Sequence, residues 1–401
     1  MSTPAGQADQ ADQAAQAERA ALAERAAQAA QAERAALASQ AAEAAQQVAA
    51  ATGTATIGSA ATGTAVSGPI LDIRDLSVVY RTPTGDVRAV EKVNLSLSPG
   101  EVIGLAGESG SGKSTLAYGA TRLLRPPALI TAGSVHYNGR HLDGGPADIL
   151  RMNNDELHKI RWSEIAIVFQ SAMNALNPVL RVRDQLLDVI RAHLRLSREQ
   201  AHDKAATLLD LVGIPRTRLR SYPHELSGGM RQRVMIAMAL AADPELVIMD
   251  EPTTALDVVV QRDILAQIVE LKETLGFAVL FITHDMSLLL ELSDRIAVMY
   301  AGQLLEVGSA HDMNKQAAHP YTQGLLGSFP SLRGPRRELV GIPGSPPDLR
   351  NPPPGCPFQA RCRHARPDCA EVEMTLAPVA GAASAAHVTA CPFVGPEGAK
   401  A

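Results

Sequence analysis

The string GESGSGKST at 107–115 gathers the residue types that bind phosphate. Gly107, Gly110 and Gly112 let the backbone curl until N–H groups of the loop, from Glu108, Ser109, Ser111 and their neighbours, face an anion. Lys113 is expected to reach the β- and γ-phosphates of ATP and Ser114 to offer its hydroxyl to Mg²⁺, while Thr115 leads into a helix whose N-terminus adds a positive dipole end. A second string, ELVIMDE at 245–251, is an apolar run ending in two acids. Asp250 is expected to hold the Mg²⁺ shell and Glu251 to orient the attacking water. An Asp-Glu pair after a strand is by itself an ordinary solvated strand end; the Gly-rich loop gives this one a chemical role. A third group is Cys356-x₅-Cys362-x₆-Cys369-x₂₁-Cys391, the whole cysteine complement, crowded into the last 46 residues of the chain. In a reducing compartment such clustering points to a metal rather than to disulfides. Zinc favours tighter C-x₂₋₄-C pairs, whereas the wider spacing and two Cys-Pro steps suit a [4Fe-4S] cluster, with zinc as the alternative.

The order of further strings carries a family resemblance. LSGGMRQR at 226–233 resembles the signature loop of the ABC ATPase superfamily. The resemblance implies that Ser227, Gly228 and Gly229 cap the γ-phosphate of an ATP bound to the opposite subunit, so that two ATPs lie between paired ATPases. Met230 stands where Gln is commonest, as it does in peptide-transporter members. Gln170 after IAIVF matches the glutamine that touches Mg²⁺ and the attacking water. Asp257 in ALD matches the residue at the dimer seam, and His284 in FITHD the switch histidine on the γ-phosphate. Tyr80 matches the aromatic that stacks on adenine. Taken singly, each has a bland reading as a core or surface residue; the ordered set overturns it.

HPYTQGLLGSFP at 319–330 and GIPGSPPDLRNPPPGCPFQARC at 341–362 are similar to the region that follows the ATPase domain in oligopeptide/dipeptide (peptide/nickel) importers. That likeness implies peptide cargo, a second ABC ATPase subunit (a paralogue), two transmembrane permease subunits and an extracytoplasmic peptide-binding protein. It also implies an iron–sulfur cluster on the four cysteines. SAMNALNPVLRVRDQL, with Asn174 and Asn177, then corresponds to the groove that receives a permease coupling helix. The alternative is a soluble, non-transport ABC ATPase, of the kind that carries a long coiled-coil insertion or a second cassette; this chain has one cassette and no such insertion.

These groups need particular elements to position them. EVIGLAG, IAIVFQ, ELVIMDE and FAVLFITH read as short buried strands with helical stretches between several of them, a pattern that predicts a largely parallel sheet. ILDIRDLSVVY alternates like a half-buried strand, VRAVEKVNLSL is a second strand candidate, and 175–245 reads as mostly helical. The expected fold is α/β, a P-loop NTPase-type ABC ATPase domain with a RecA-like core, an antiparallel β subdomain and a helical subdomain, followed by a small Cys-rich lobe. The expected boundaries are 1–66 for an Ala/Gln-rich helical or disordered tail, 67–318 for the ATPase domain and 319–401 for the C-terminal region. The tail repeats AAQAERAALA at 14–23 and 29–38, yet its only large apolar residues are Leu22 and Leu37, too few for a coiled-coil seam.

Bulk properties agree with this organisation. The chain has 401 residues, 46% of them hydrophobic, enough for a sizeable core. A net charge of −5 argues against a nucleic-acid partner. No apolar run is long enough to span a bilayer and the N-terminus lacks a secretion-signal pattern, so a peripheral place on the cytoplasmic face of the membrane is expected.

Overall fold

The computed structural model describes residues 68–140, 142, 145–170, 175–253, 256–328, 341–382 and 384–393. The expected tail at 1–66 and Asn174 lie outside the described residues.

Two sheets organise the chain. The first begins with a hairpin of β1 (Leu71–Thr82) and β2 (Gly85–Leu97). Along β1 apolar residues alternate onto the core face, as a strand buried on one side requires: Leu71, Ile73, Leu76 and Val78 are all buried. The chain then crosses to β3 (Val102–Ala106) and α1 (Lys113–Ala120), and returns with β4 (Ala128–Tyr137) and β5 (Ala147–Asp148). The order β2-β1-β4-β5 is antiparallel throughout.

After α2 (Asn154–Ile160) and β6 (Ile165–Val168) comes the helical segment: α3 (Val182–His193), α4 (Arg198–Leu211) and α5 (Gly228–Leu240). The chain continues with β7 (Leu246–Asp250), α6 (Val258–Leu275), β8 (Ala278–Ile282), α7 (Met286–Leu292), β9 (Arg295–Tyr300) and β10 (Gln303–Ser309). It closes with α8 (Ala310–Gln316), α9 (Pro320–Gly327) and the short β11 (Ala377–Pro378) and β12 (Val388–Thr389).

The second sheet runs β11-β12-β10-β9-β3-β8-β7-β6. Its β6, β7, β8, β3 and β9 are parallel. Every residue of β3, β6, β7 and β8 is buried, which is why these segments read as unbroken apolar runs rather than as alternating ones. At the other edge β10 pairs antiparallel with β9, and β12 adds to β10 through Thr389 opposite Glu306 and Val388 opposite Val307. The Cys-bearing segment is thus joined to the eight-stranded sheet by main-chain pairing.

The candidate nucleotide site

Four neighbouring parallel strands deliver the chemistry at their C-terminal ends, where open α/β sheets bind ligands. β3 runs into the loop at 107–112, β7 ends on Asp250, and Gln170 and His284 each lie two residues beyond β6 and β8.

The loop can take its curl only with glycine at two points. Gly107 has φ 146°, and a Cβ there would sit 2.1 Å from the Met299 carbonyl oxygen. Gly112 has φ 103°, and a Cβ would lie 2.2 Å from the Ala89 carbonyl oxygen. Inside the curl Lys113 Nζ donates to the carbonyls of Gly107 and Glu108, both at 2.8 Å. Burial lowers the Lys113 pKa, while the negative charges of Glu251, Asp250 and Glu108 pull the other way. Phosphate oxygens are the natural replacement for these carbonyl acceptors.

Ser114 Oγ donates to Asp250 Oδ1 at 2.9 Å, so the hydroxyl and carboxylate expected around Mg²⁺ meet. Both are hard oxygen donors, and Asp250 is only 1% exposed, so the pair fits a magnesium shell. Tyr118 Oη donates to the other oxygen, Oδ2, at 2.6 Å. Burial, followed by this hydrogen bond, raises the Tyr118 pKa and keeps the hydroxyl a donor. The motif reading did not single out Tyr118, although it sits four residues after Ser114 in α1, on the same helix face.

Glu251 follows at φ 46°, a left-handed conformation rare outside glycine, and its N–H donates to the Ile282 carbonyl at 2.9 Å. Gln170 Nε2 donates to Glu251 Oε2 at 2.7 Å, and His284 Nδ1 lies 3.4 Å from Glu251 Oε1. The structure therefore brings Gln170, Glu251 and His284 together beside Lys113, Ser114 and Asp250. Tyr80, near the end of β1, has its hydroxyl 3.1 Å from Thr115 Oγ1, so this ring also borders the loop.

The signature residues engage elsewhere. Ser227 caps α5, accepting the Met230 N–H at 3.3 Å, and Gly229 faces Val260 in α6, where a Cβ would be 2.6 Å from a methyl carbon. Asp257 caps α6 by accepting the Val260 N–H at 3.0 Å. Next to it Val258 and Val259 are 72% and 71% exposed, two apolar side chains left facing outward.

The four cysteines form no disulfide. Cys356 N–H donates to the Cys369 carbonyl at 2.8 Å, and the amides of His364 and Arg366 approach the sulfurs of Cys362 and Cys369, each at 3.4 Å. Burial, and after it the proximity of Cys391, Cys369 and Cys362, pushes the Cys356 thiol up to about 11. Among the described residues no group of three or more His, Cys, Asp or Glu side chains stands ready to hold a metal ion. The expected iron–sulfur site is therefore not assembled at ligating distance, although its four donors all lie within residues 356–391.

The ABC transporter family profile matches residues 90–254, and the profile described as the oligopeptide/dipeptide transporter C-terminal region matches 305–369. The oligopeptide transport ATP-binding protein OppD of Escherichia coli is 46% identical over 302 residues, spanning 75% of this chain and 87% of that protein. The dipeptide transport ATP-binding protein DppD of Bacillus subtilis is 44% identical over 296 residues, 73% of this chain and 86% of its own length. Among solved structures, a dimeric post-hydrolysis state of the ATP-binding cassette MJ0796, bound to ADP and phosphate, superposes with a TM-score of 0.52 at 29% identity. It covers 60% of this chain and 98% of its own. With the loop, the acid pair and the signature all in place, the chain belongs to the ATP-binding subunits of oligopeptide/dipeptide ABC transporters and is an ABC-type ATPase.

Proposed function

We propose that this ATPase powers uptake of di- or oligopeptides, turning over ATP at an interface with a second ABC ATPase subunit, a paralogue. The observation that carries the reading is the Gln170–Glu251–His284 cluster set beside the Lys113 loop and the Ser114–Asp250 pair. In this reading Glu251 takes a proton from water as its oxygen bonds to the γ-phosphorus and the bond to the β-phosphate oxygen breaks, releasing ADP and phosphate. Lys113 and His284 hold the γ-phosphate charge, Gln170 aligns the water with Glu251, and Tyr80 stacks on adenine. Ser114, Asp250 and Gln170 would hold Mg²⁺, which would supply charge neutralisation for the phosphates.

Ser227, Gly228 and Gly229 lie apart from this cluster and would serve the partner's ATP. The outward-facing Val258 and Val259 beside Asp257 support a seam at this edge. Closure of that seam ties hydrolysis to motion in two transmembrane permeases, which receive cargo from an extracytoplasmic peptide-binding protein. No described helix is long and apolar enough to cross a membrane, in keeping with peripheral attachment at the cytoplasmic face through those permeases. The names of the relatives supply the peptide cargo.

Reconstitution with the permeases and measurement of peptide-stimulated ATPase tests the whole reading. Glu251→Gln should lower kcat by about a hundredfold or more while ATP stays bound and the ATPase pair stays closed. Turnover near that of the unsubstituted protein removes Glu251 from the chemistry.

The cysteine lobe is proposed to carry a [4Fe-4S] cluster. Four thiols with none spare, and amide N–H groups directed at two of the sulfurs, support it. No step of hydrolysis passes through this group. Anaerobically prepared protein should contain iron and sulfide; a colourless protein with one zinc per chain would assign zinc instead.

A further inference from the structure

Glu108, the residue after the first loop glycine, places a carboxylate close enough to the phosphate loop for its charge to act on Lys113. Its carboxylate is taken by Arg361, which lies between Cys356 and Cys362 in the C-terminal lobe. Nη1 donates to Oε2 at 2.8 Å and Nη2 to Oε1 at 3.0 Å, a two-pronged pair. The Arg361 side chain is 6% exposed. Two further donors are fixed as well: Nε donates to the Pro343 carbonyl at 2.7 Å, and Nη1 also donates to the Tyr300 hydroxyl at 3.2 Å. The same loop residue is gripped through its main chain: the Glu108 N–H, expected to face the anion, instead donates to Tyr321 Oη at 2.9 Å. Tyr300, Tyr321 and Phe358 pack ring against ring with centroids 4.6–5.4 Å apart, so the guanidinium stands on a rigid aromatic floor.

A carboxylate in a loop that must accept a triphosphate is an electrostatic problem. Its charge is felt at Lys113, which has to remain available to the phosphates. An unpaired Glu108 would repel the ligand in a partly dehydrated site, where charges interact strongly. A guanidinium bonded through both arms cancels that charge and fixes its direction.

We propose that Arg361 is a positioning residue for ATP: reaching from the cysteine lobe, it neutralises Glu108 and holds the loop in its phosphate-accepting curl. The inference rests on the reading of residues 107–115 as the ATP loop and makes the C-terminal lobe a determinant of nucleotide affinity.

The test is titration of the full-length subunit with Mg·ATP. Arg361→Ala should weaken ATP binding about tenfold, because it leaves a bare carboxylate beside the phosphates. Glu108→Gln alone should tighten binding a few-fold. Glu108→Gln added to Arg361→Ala should recover most of the loss, to within about threefold of the unsubstituted protein. Lobe disruption alone would show no such rescue. Arg361→Lys, which keeps charge but not the fork, should weaken binding by about threefold and also be rescued by Glu108→Gln; these two variants decide the matter should the alanine form fail to fold. Arg363→Ala, whose side chain reaches Gln323 in the same lobe, is the control and should bind ATP normally. Unchanged affinity in Arg361→Ala, or a double variant no better than the single one, overturns the proposal. Lys113→Ala separates the two levels: if it still binds ATP normally the loop assignment itself fails, whereas its failure to bind alongside an inert Arg361→Ala sinks only the role of Arg361.

Discussion

Two hydroxyls converge on Asp250, one on each carboxylate oxygen, and they have different duties. In the proposed site Ser114 would share the metal with Asp250, whereas Tyr118 would orient the carboxylate through its other oxygen. Loss of such an orienting donor typically costs a metal site one to two orders of magnitude in affinity. Tyr118→Phe keeps the ring against Phe169, whose centroid is 5.8 Å away, and removes only the donor. The Mg²⁺ concentration that half-saturates ATPase activity should therefore rise about tenfold, with kcat at saturating Mg²⁺ close to normal. A magnesium titration of the steady-state rate reads this directly, and an unchanged midpoint would leave Tyr118 a packing residue. Lys113, Ser114, Asp250 and Glu251 were legible in the sequence because each works inside a short string whose order encodes its geometry. Tyr118 was legible in principle, one helical turn beyond Ser114. The Arg361–Glu108 pair was not, because 253 residues separate partners that meet only through the tertiary fold.

At the level of elements, legibility followed burial. The strands that carry the site are covered on both faces, so β3, β7 and β8 are unbroken apolar runs in the sequence and announce a parallel sheet. β1 could be read from its alternation and β2 as a second strand candidate after it. Its partners β4 and β5 could not: β4 is ALITAGSVHY, largely half-exposed, and β5 is two residues long. Their place follows from pairing with β1 and with each other, which no local pattern records. β12 is equally short and is held by two pairs to β10. Helix caps were the opposite case. Ser227 and Asp257, singled out for the nucleotide interface, also start α5 and α6 by accepting N–H groups of their first turns. One residue type therefore suits both jobs, since an oxygen and free N–H groups at a helix start serve a cap and a phosphate alike.

At the scale of the described molecule, the Cys-bearing C-terminal segment and the eight-stranded sheet are joined by a buried polar knot. Glu306 of β10 and His387, which immediately precedes β12, are fully buried and meet at 2.7 Å. The same carboxylate accepts the N–H groups of Ala318 and His319 at the entry to α9. His319 in turn accepts the Tyr321 N–H on Nδ1 at 3.0 Å, a bond that needs this nitrogen unprotonated. Burial holds the His319 pKa down at about 4, against the opposing pull of Glu306. The sign follows from linkage: a histidine near 6.5 when unfolded and near 4 when folded binds fewer protons in the native state. Its contribution is complete above pH 6.5 and is lost as pH falls towards 4. Between pH 7 and pH 5 this amounts to about 2 kcal/mol. His319→Asn retains a side-chain acceptor for the Tyr321 N–H but has no proton to take up. Urea unfolding at both pH values should show the unsubstituted protein losing about 2 kcal/mol more than His319→Asn. Equal losses in the two proteins would mean that His319 takes up its proton without cost to the fold, and that the join between lobe and sheet is indifferent to acid.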